Sequence, residues 1–193
     1  MLSSRFETAL SFTARLHAAQ IRKGSATPYI AHLLSVAGIV LEHGGTEDEA
    51  IAALLHDAIE DQGGGATRET IARLFGPDVA AIVDGCTDTD VFPKPPWRER
   101  KEAYIKHLAD ASPSVRLVSC ADKLHNARST LSDFEILGDE VWQRFRGGKS
   151  GSLWYYRALV AAFSGHGVTP LVSELERAVS ELERRAGLAE SDS

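Results

Sequence analysis

Apolar positions along the chain recur at spacings of three and four, the period of helices with one buried face. No stretch shows the period-two alternation of a half-exposed strand. Start and stop signals punctuate the helical pattern. Ser4 and Glu7 form a capping box ahead of Phe6, Leu10, Thr13, Leu16 and Ala19, which predicts a first helix fading near Arg22-Lys23-Gly24. Pro28-Tyr29 opens a second helix through His32, Val36, Val40 and Leu41, and Gly44-Gly45 stops it. A second capping box, Thr46 with Glu49, starts the helix AIAALLHDAIED, which runs to about Asp61 and ends at Gly63-Gly64-Gly65. Thr67 caps a short helix to Phe75, closed by Gly76-Pro77, and residues 78–86 give another.

Asp88 to Pro96 holds three prolines and reads as the one linker. A helix bearing Arg98, Arg100, Lys101 and Lys106 follows, then SPSVRLVSCADKLHNARSTL, apolar on one face and polar on the other. The residues after Gly147 predict a helix with Trp154, Tyr155 and Tyr156. Thr169-Pro170 opens the last one, whose Leu171, Leu175, Val179 and Leu182 form a stripe that reads as a core seam. The pattern predicts an all-α, single-domain bundle of about nine or ten elements over residues 1–187, with residues 188–193 as a frayed tail.

Composition narrows the function classes. In 193 residues, 44% are hydrophobic and 25% charged, enough apolar material for a core that needs no disulfide or metal merely to fold. Asp and Glu (27) outnumber Lys and Arg (21), a net charge of −6. That balance argues against a binder of nucleic-acid polymers, which needs a basic surface, and leaves room for a local basic pocket. The two cysteines, Cys86 and Cys120, show no Cys-x-x-Cys spacing, so neither a disulfide scaffold nor a thiolate metal site is expected. Arg5 and Glu7 stand where a signal peptide needs an apolar run, and no segment has the length of a membrane span. The expectation is a cytoplasmic protein without membrane contact.

Candidate chemistry concentrates in three places. His56, Asp57, Glu60 and Asp61 share one narrow strip of a helix whose other positions, Ile51, Ala52, Leu54, Leu55 and Ile59, demand burial. Four ionisable groups on so apolar a helix are costly unless paired or metallated. A solvated acidic face is the plainer reading, and it suits Glu47-Asp48-Glu49; His-Asp embedded in LLHDAI fits it poorly. His32 sits among Ile30, Leu33, Leu34 and Val36, and alone reads as a satisfied core residue. Asp122 and Asn126 lie one turn apart on one face, beside Val118 and Ala121, so Asp122 calls for a partner: Lys123 or a helix-capping donor in the plain reading, a metal in the functional one. A set of His32, His56, Asp57 and Asp122 holds nitrogen and oxygen donors only, which suits Mn, Fe or Zn. Spacing by itself does not assemble these distant segments into one site.

RKGSATPYIAHLLSVA, ALLHDAIED and LVSCADKLHNARS, in this order, resemble the HD-domain metal-dependent phosphohydrolases, and more closely the hydrolase domain of RelA/SpoT-type alarmone enzymes. The resemblance covers roughly Phe6 to Phe163. The chain is too short for the synthetase domain of the bifunctional enzymes and looks like a stand-alone small alarmone hydrolase. The resemblance implies an HD-type fold and removal of the 3′-pyrophosphate from guanosine tetra- or pentaphosphate, the alarmones of the stringent response, giving GDP or GTP with Mn²⁺ or another divalent ion. It implies that His32, His56, Asp57 and Asp122 hold the metal and that Glu60 and Asp61 are the catalytic acidic pair. Arg22, Lys23, Asn126, Arg128 and Ser129 are its implied nucleotide contacts. Tyr155 and Tyr156 fall at the family's aromatic wall, one of them expected in the core. The implied partner is a small nucleotide, and a homo-oligomer is left open.

The sequence also departs from the family. Leu33 follows the first metal histidine where proline is common, Ser119-Cys120 precede Ala-Asp, and the segment from Val91 to Leu108 is rich in proline and basic residues. Two alternatives therefore stand beside the alarmone reading: an HD phosphohydrolase for another phosphorylated nucleotide, such as an adenosine alarmone, and a non-catalytic nucleotide-binding module. His107 is the one histidine between Asp57 and Asp122, which favours a single metal over a pair.

Overall fold

The computed structural model describes residues 1–89 and 93–187. Part of the proline-rich linker and the expected tail, 188–193, lie outside the described residues. The chain is all-α, as the periodicity predicts. Its helices are α1 (Ser4–Leu16), α2 (Ile30–Glu42), α3 (Glu47–Leu55), α4 (Ala58–Asp61), α5 (Gly64–Phe75), α6 (Pro77–Cys86), α7 (Trp97–Asp110), α8 (Pro113–Leu137), α9 (Gly148–Ser164) and α10 (Pro170–Arg185), with a 3-10 segment Gly138–Arg144 between α8 and α9. Among the described residues there is no strand, only an isolated antiparallel bridge between Ile21 and Pro28.

The chain groups into two compact units. One comprises Met1–Pro95 with Ala111–Asp122, the other Pro96–Asp110 with the chain from Lys123 on. The division falls inside α8. In the first unit α3 is the central element, packed by α1, α2 and α6. Ala50 to Leu55 are all fully buried, so this helix is enclosed on every side, as its lack of polar positions there requires. The Thr46 hydroxyl accepts from the Glu49 N–H, and the Glu49 carboxylate accepts from the Thr46 N–H at 2.7 Å, so the expected capping box starts α3. Gly44 takes a φ of +79°, and a Cβ at Gly45 would press into the Val40 side chain. This close turn admits only glycine and sets α3 directly against α2. A Cβ at Gly85 would likewise meet Val115, so α6 packs tightly on the start of α8.

The second unit is built around α9, which packs against α7, α10 and the 3-10 segment. The stripe Leu171, Leu175, Val179 and Leu182 of α10 is buried, the core seam its spacing predicts. Both Tyr155 and Tyr156 are buried, where one was expected to be. Trp142 of the 3-10 segment packs between Phe134 and Phe145, with ring centroids at 5.9 and 6.2 Å.

Four local expectations are corrected. The N-cap of α1 is Ser3, whose hydroxyl accepts from the Arg5 N–H; Ser4 already lies inside the helix. That helix ends at Leu16, well before Arg22-Lys23-Gly24. Helix α5 begins at Gly64, and Thr67 is buried within it, with its hydroxyl donating to the Gln62 carbonyl, so it is no cap. The helix predicted to run unbroken from Thr46 to Asp61 is interrupted at His56-Asp57, dividing α3 from α4.

Candidate metal centre

The interruption at His56-Asp57 forms the centre. His56 ends α3 with φ −59° and ψ −27°, and Asp57 follows at φ −99° and ψ 0°. Asp57 occupies the N-cap position of α4 without capping it. Its carboxylate turns instead toward two imidazoles. Asp57 Oδ2 lies 3.1 Å from His56 Nε2 and 3.7 Å from His32 Nε2. Asp122, on α8, places Oδ1 3.3 Å from His32 Nε2 and 3.6 Å from His56 Nε2. Both histidines are almost wholly buried, with rings edge-on at 5.1 Å, and Asp122 is buried too. Segments distant in sequence thus bring the predicted His32, His56, Asp57 and Asp122 together within one unit.

The donor set fits a divalent ion. His56 Nδ1 sits 2.7 Å from the Ala53 carbonyl oxygen. A carbonyl only accepts, so Nδ1 carries the proton and Nε2 presents its lone pair to the centre. That Nε2 is buried and has no hydrogen-bond partner, despite the closeness of the two carboxylates. Ligand atoms of His32, His56 and Asp57 all lie within 4.8 Å of one another, a grouping that can hold a metal ion. Burial disfavours charge on the His56 ring, but Asp57 and Asp122 outweigh it and hold its pKa well above the ordinary value. Burial likewise opposes charge on Asp57, and the His56 and His32 rings overcome it and hold the carboxyl well below its usual range. Facing the two carboxylates alone, the His56 ring takes a second proton at Nε2; a bound cation would take that proton's place and meet the Nε2 lone pair.

The acidic pair follows on α4. Glu60 accepts from Lys94 Nζ at 2.7 Å, and Asp61 accepts from Gln20 Nε2 at 2.8 Å. Partial desolvation of the Asp61 carboxyl, then the Asp57 charge, pushes its pKa up. The Asp57 carboxylate turns to the histidines, and the Asp61 N–H donates to the Asp57 carbonyl at 3.0 Å, so the acidic pair follows directly from it on α4.

The Gln20–Tyr29 loop borders the centre. The Arg22 guanidinium lies 5.9 Å from the Tyr29 ring centroid, and Lys23 is exposed on the same loop. Asn126, Arg128 and Ser129 belong to the second unit, where Arg128 pairs with Glu174 at 2.6 Å. Residues that the sequence did not mark for the site also contribute. The Tyr29 hydroxyl donates to Asp57 Oδ2 at 2.5 Å, and burial followed by the Asp57 charge raises its pKa far above the ordinary value. His17 stacks on Tyr29 with ring centroids 5.6 Å apart. Tyr29 sits beside the helix-opening Pro28 and Gln20 just past α1, and nothing in their spacing singled them out.

Comparisons with known proteins establish the family. The family model described as HD domain matches residues 9–151, and the chain belongs to the HD-domain family, whose hydrolases imply a divalent metal. The guanosine-3′,5′-bis(diphosphate) 3′-pyrophosphohydrolase MESH1 of Xenopus tropicalis is 44% identical over 141 residues, 72% of this chain and 74% of that protein. The human protein of the same name is 37% identical over 141 residues, with the same coverage of 72% and 74%. A solved structure described as a metazoan ortholog of SpoT that hydrolyzes ppGpp and plays a role in starvation responses superposes with a TM-score of 0.76 at 29% identity, covering 97% of this chain and 98% of that one. Among the described residues no helix is long and apolar enough to cross a membrane.

Proposed function

We infer that this chain is a metal-dependent 3′-pyrophosphohydrolase of guanosine 3′,5′-bis(diphosphate). The observation that carries the reading is a buried centre of two histidines and two carboxylates, in a chain 44% identical to a hydrolase of that name. His32 and His56 supply nitrogen donors and Asp57 and Asp122 oxygen donors, a set suited to Mn²⁺. A divalent ion held there lowers the pKa of water and polarises a phosphoryl oxygen.

The chain's own residues do the rest. Asp61, its pKa raised, accepts a proton from the attacking water as general base, a task for which a raised pKa is an advantage. Glu60 stands beside it on α4, paired with Lys94. Water attacks the 3′-bound phosphorus, the bond from phosphorus to O3′ breaks, and O3′ takes up a proton. Guanosine tetra- or pentaphosphate then leaves as GDP or GTP with pyrophosphate. Arg22, half-buried against Tyr29, offers a planar cation for a base or phosphate, and Lys23 a point charge for phosphate. Asn126, Arg128 and Ser129 are the further nucleotide contacts of this reading.

The test incubates purified protein with Mn²⁺ and guanosine 3′,5′-bis(diphosphate) and separates products by ion exchange, with Asp57→Ala as control. GDP and pyrophosphate made only by the intact centre support the reading. No turnover from Mn²⁺-loaded protein sinks it and turns attention to adenosine analogues.

A further inference from the structure

Tyr29 has a role that the metal centre and the acidic pair leave unassigned. It stands at the N-cap position of α2, three residues before His32. Its hydroxyl donates to Asp57 Oδ2 at 2.5 Å, the oxygen that faces both histidines. A carboxylate oxygen has two lone-pair directions, so this bond occupies one and fixes the rotation that aims the other at His32 and His56.

The ring that delivers the hydroxyl is held through its backbone and on two sides. Its backbone N–H donates to the Gln20 carbonyl at 2.9 Å, while Arg22 N–H donates to the Thr27 carbonyl at 2.8 Å, closing the loop. One face lies against His17, nearly parallel at 22°. An edge-on contact with His32, at 5.5 Å between centroids, holds another side.

His17 is fixed in turn. Gln20 Nε2 donates to the Asp61 carboxylate, so Gln20 Oε1 must face the other way. There it accepts from Gln62 Nε2 at 2.7 Å and from His17 Nδ1 at 2.6 Å. His17 is 2% exposed and therefore has one orientation against the Tyr29 ring. A hydroxyl so held on a ligand carboxylate matches the outer partners that orient metal ligands in general.

We propose that Tyr29 is a positioning residue, its hydroxyl holding the Asp57 carboxylate in the orientation that binds the metal, with His17 and Gln20 as the clamp on its ring. The inference rests on the assignment of Asp57 as a ligand and needs no particular substrate. Tyr29→Phe keeps the ring, the stack and the loop and removes only the hydroxyl.

The experiment titrates full-length protein with Mn²⁺ and reads the free ion by electron paramagnetic resonance, beside thermal melts in EDTA. The expected result is Mn²⁺ affinity lowered about 10- to 100-fold with the EDTA melt close to wild type. Unchanged or tighter binding overturns the proposal, because the hydroxyl would then be neutral or would compete with the ion for Asp57 Oδ2. A lower EDTA melt with unchanged affinity also overturns it, since the role would be structural alone. Wild-type protein that binds Mn²⁺ but leaves guanosine 3′,5′-bis(diphosphate) intact refutes the substrate reading, while a weakened Tyr29→Phe still supports this one.

Discussion

Removing the metal, and then one of its ligands, tests the centre without reference to any substrate. Asp122 is the proposed ligand to change. Its side chain is 8% exposed, and its Oδ1 lies within 3.6 Å of both imidazole Nε2 atoms. An ion that binds the folded chain and not the unfolded one stabilises it by about 2.7 kcal/mol at a hundredfold excess over Kd. A domain of this length shifts about 2–4 °C per kcal/mol, so saturating Mn²⁺ should raise the melting temperature by about 5–11 °C over EDTA. Asp122→Asn keeps the shape but lowers the negative charge and basicity of that donor. The metal-dependent shift should fall to within about 2 °C at the same Mn²⁺ concentration, a loss of most of the linkage term. Differential scanning fluorimetry in EDTA and across a Mn²⁺ series reads both numbers. A wild-type chain with no metal-dependent shift, or an Asp122→Asn chain with the full shift, would refute the assignment of these four side chains to one ion.

Four further outcomes follow. Asp61→Asn should abolish turnover while keeping the Mn²⁺-dependent melting shift; wild-type rates in that variant would remove Asp61 from the chemistry. Leu54→Ala, at a fully buried position of the central α3, should cost about 2–5 kcal/mol in urea unfolding, and a cost under about 1 kcal/mol would contradict the packing described. Burial pushes the Cys120 thiol up to about 12, leaving roughly one thiolate in ten thousand at pH 8; iodoacetamide should label Cys86 in the native chain and reach Cys120 only after unfolding, as peptide mapping would show. Hydrogen bonds from Arg184 and Arg185 pull Glu181 from its ordinary 4.5 to about 2. Its stabilisation is therefore present above about pH 4.5 and lost as pH falls toward 2, so the melting gap between wild type and Glu181→Gln should close across that window, and a gap that persists at pH 2 would exclude this pair as its source.

The sequence carried more of the fold than of the site's detail. Helical periods were legible because each helix buries one face, as Leu171, Leu175, Val179 and Leu182 do. Boundaries were less so. Ser3 and Ser4 offer the same hydroxyl, and the choice of Ser3 is tied to Glu47, which accepts from both the Ser3 amide and hydroxyl, a contact between segments far apart in sequence. Thr67 looks like a cap, yet its hydroxyl donates to Gln62 from inside α5. The 3-10 segment had no periodic signal to announce it. His56-Asp57 stood out because imidazole and carboxylate are costly in so apolar a helix, whereas His32 and Asp122 joined them only through resemblance. Tyr29 was hidden because an aromatic beside a proline reads as a helix opening.

The break between α3 and α4 gives the centre its geometry. In an unbroken helix Asp57 points about 100° away from its neighbour His56, and adjacent positions do not share a face. The turn at φ −99° and ψ 0° instead brings Asp57 Oδ2 within 3.1 Å of His56 Nε2. Asp61 N–H still reaches the Asp57 carbonyl at 3.0 Å, so α4 continues from the break and the acidic pair stays close by. The cost is an Asp57 side chain that caps nothing, and the Tyr29 hydroxyl supplies that carboxylate with a donor. Adjacent residues in the sequence thus come side by side in space because α3 ends at His56 and α4 begins after Asp57.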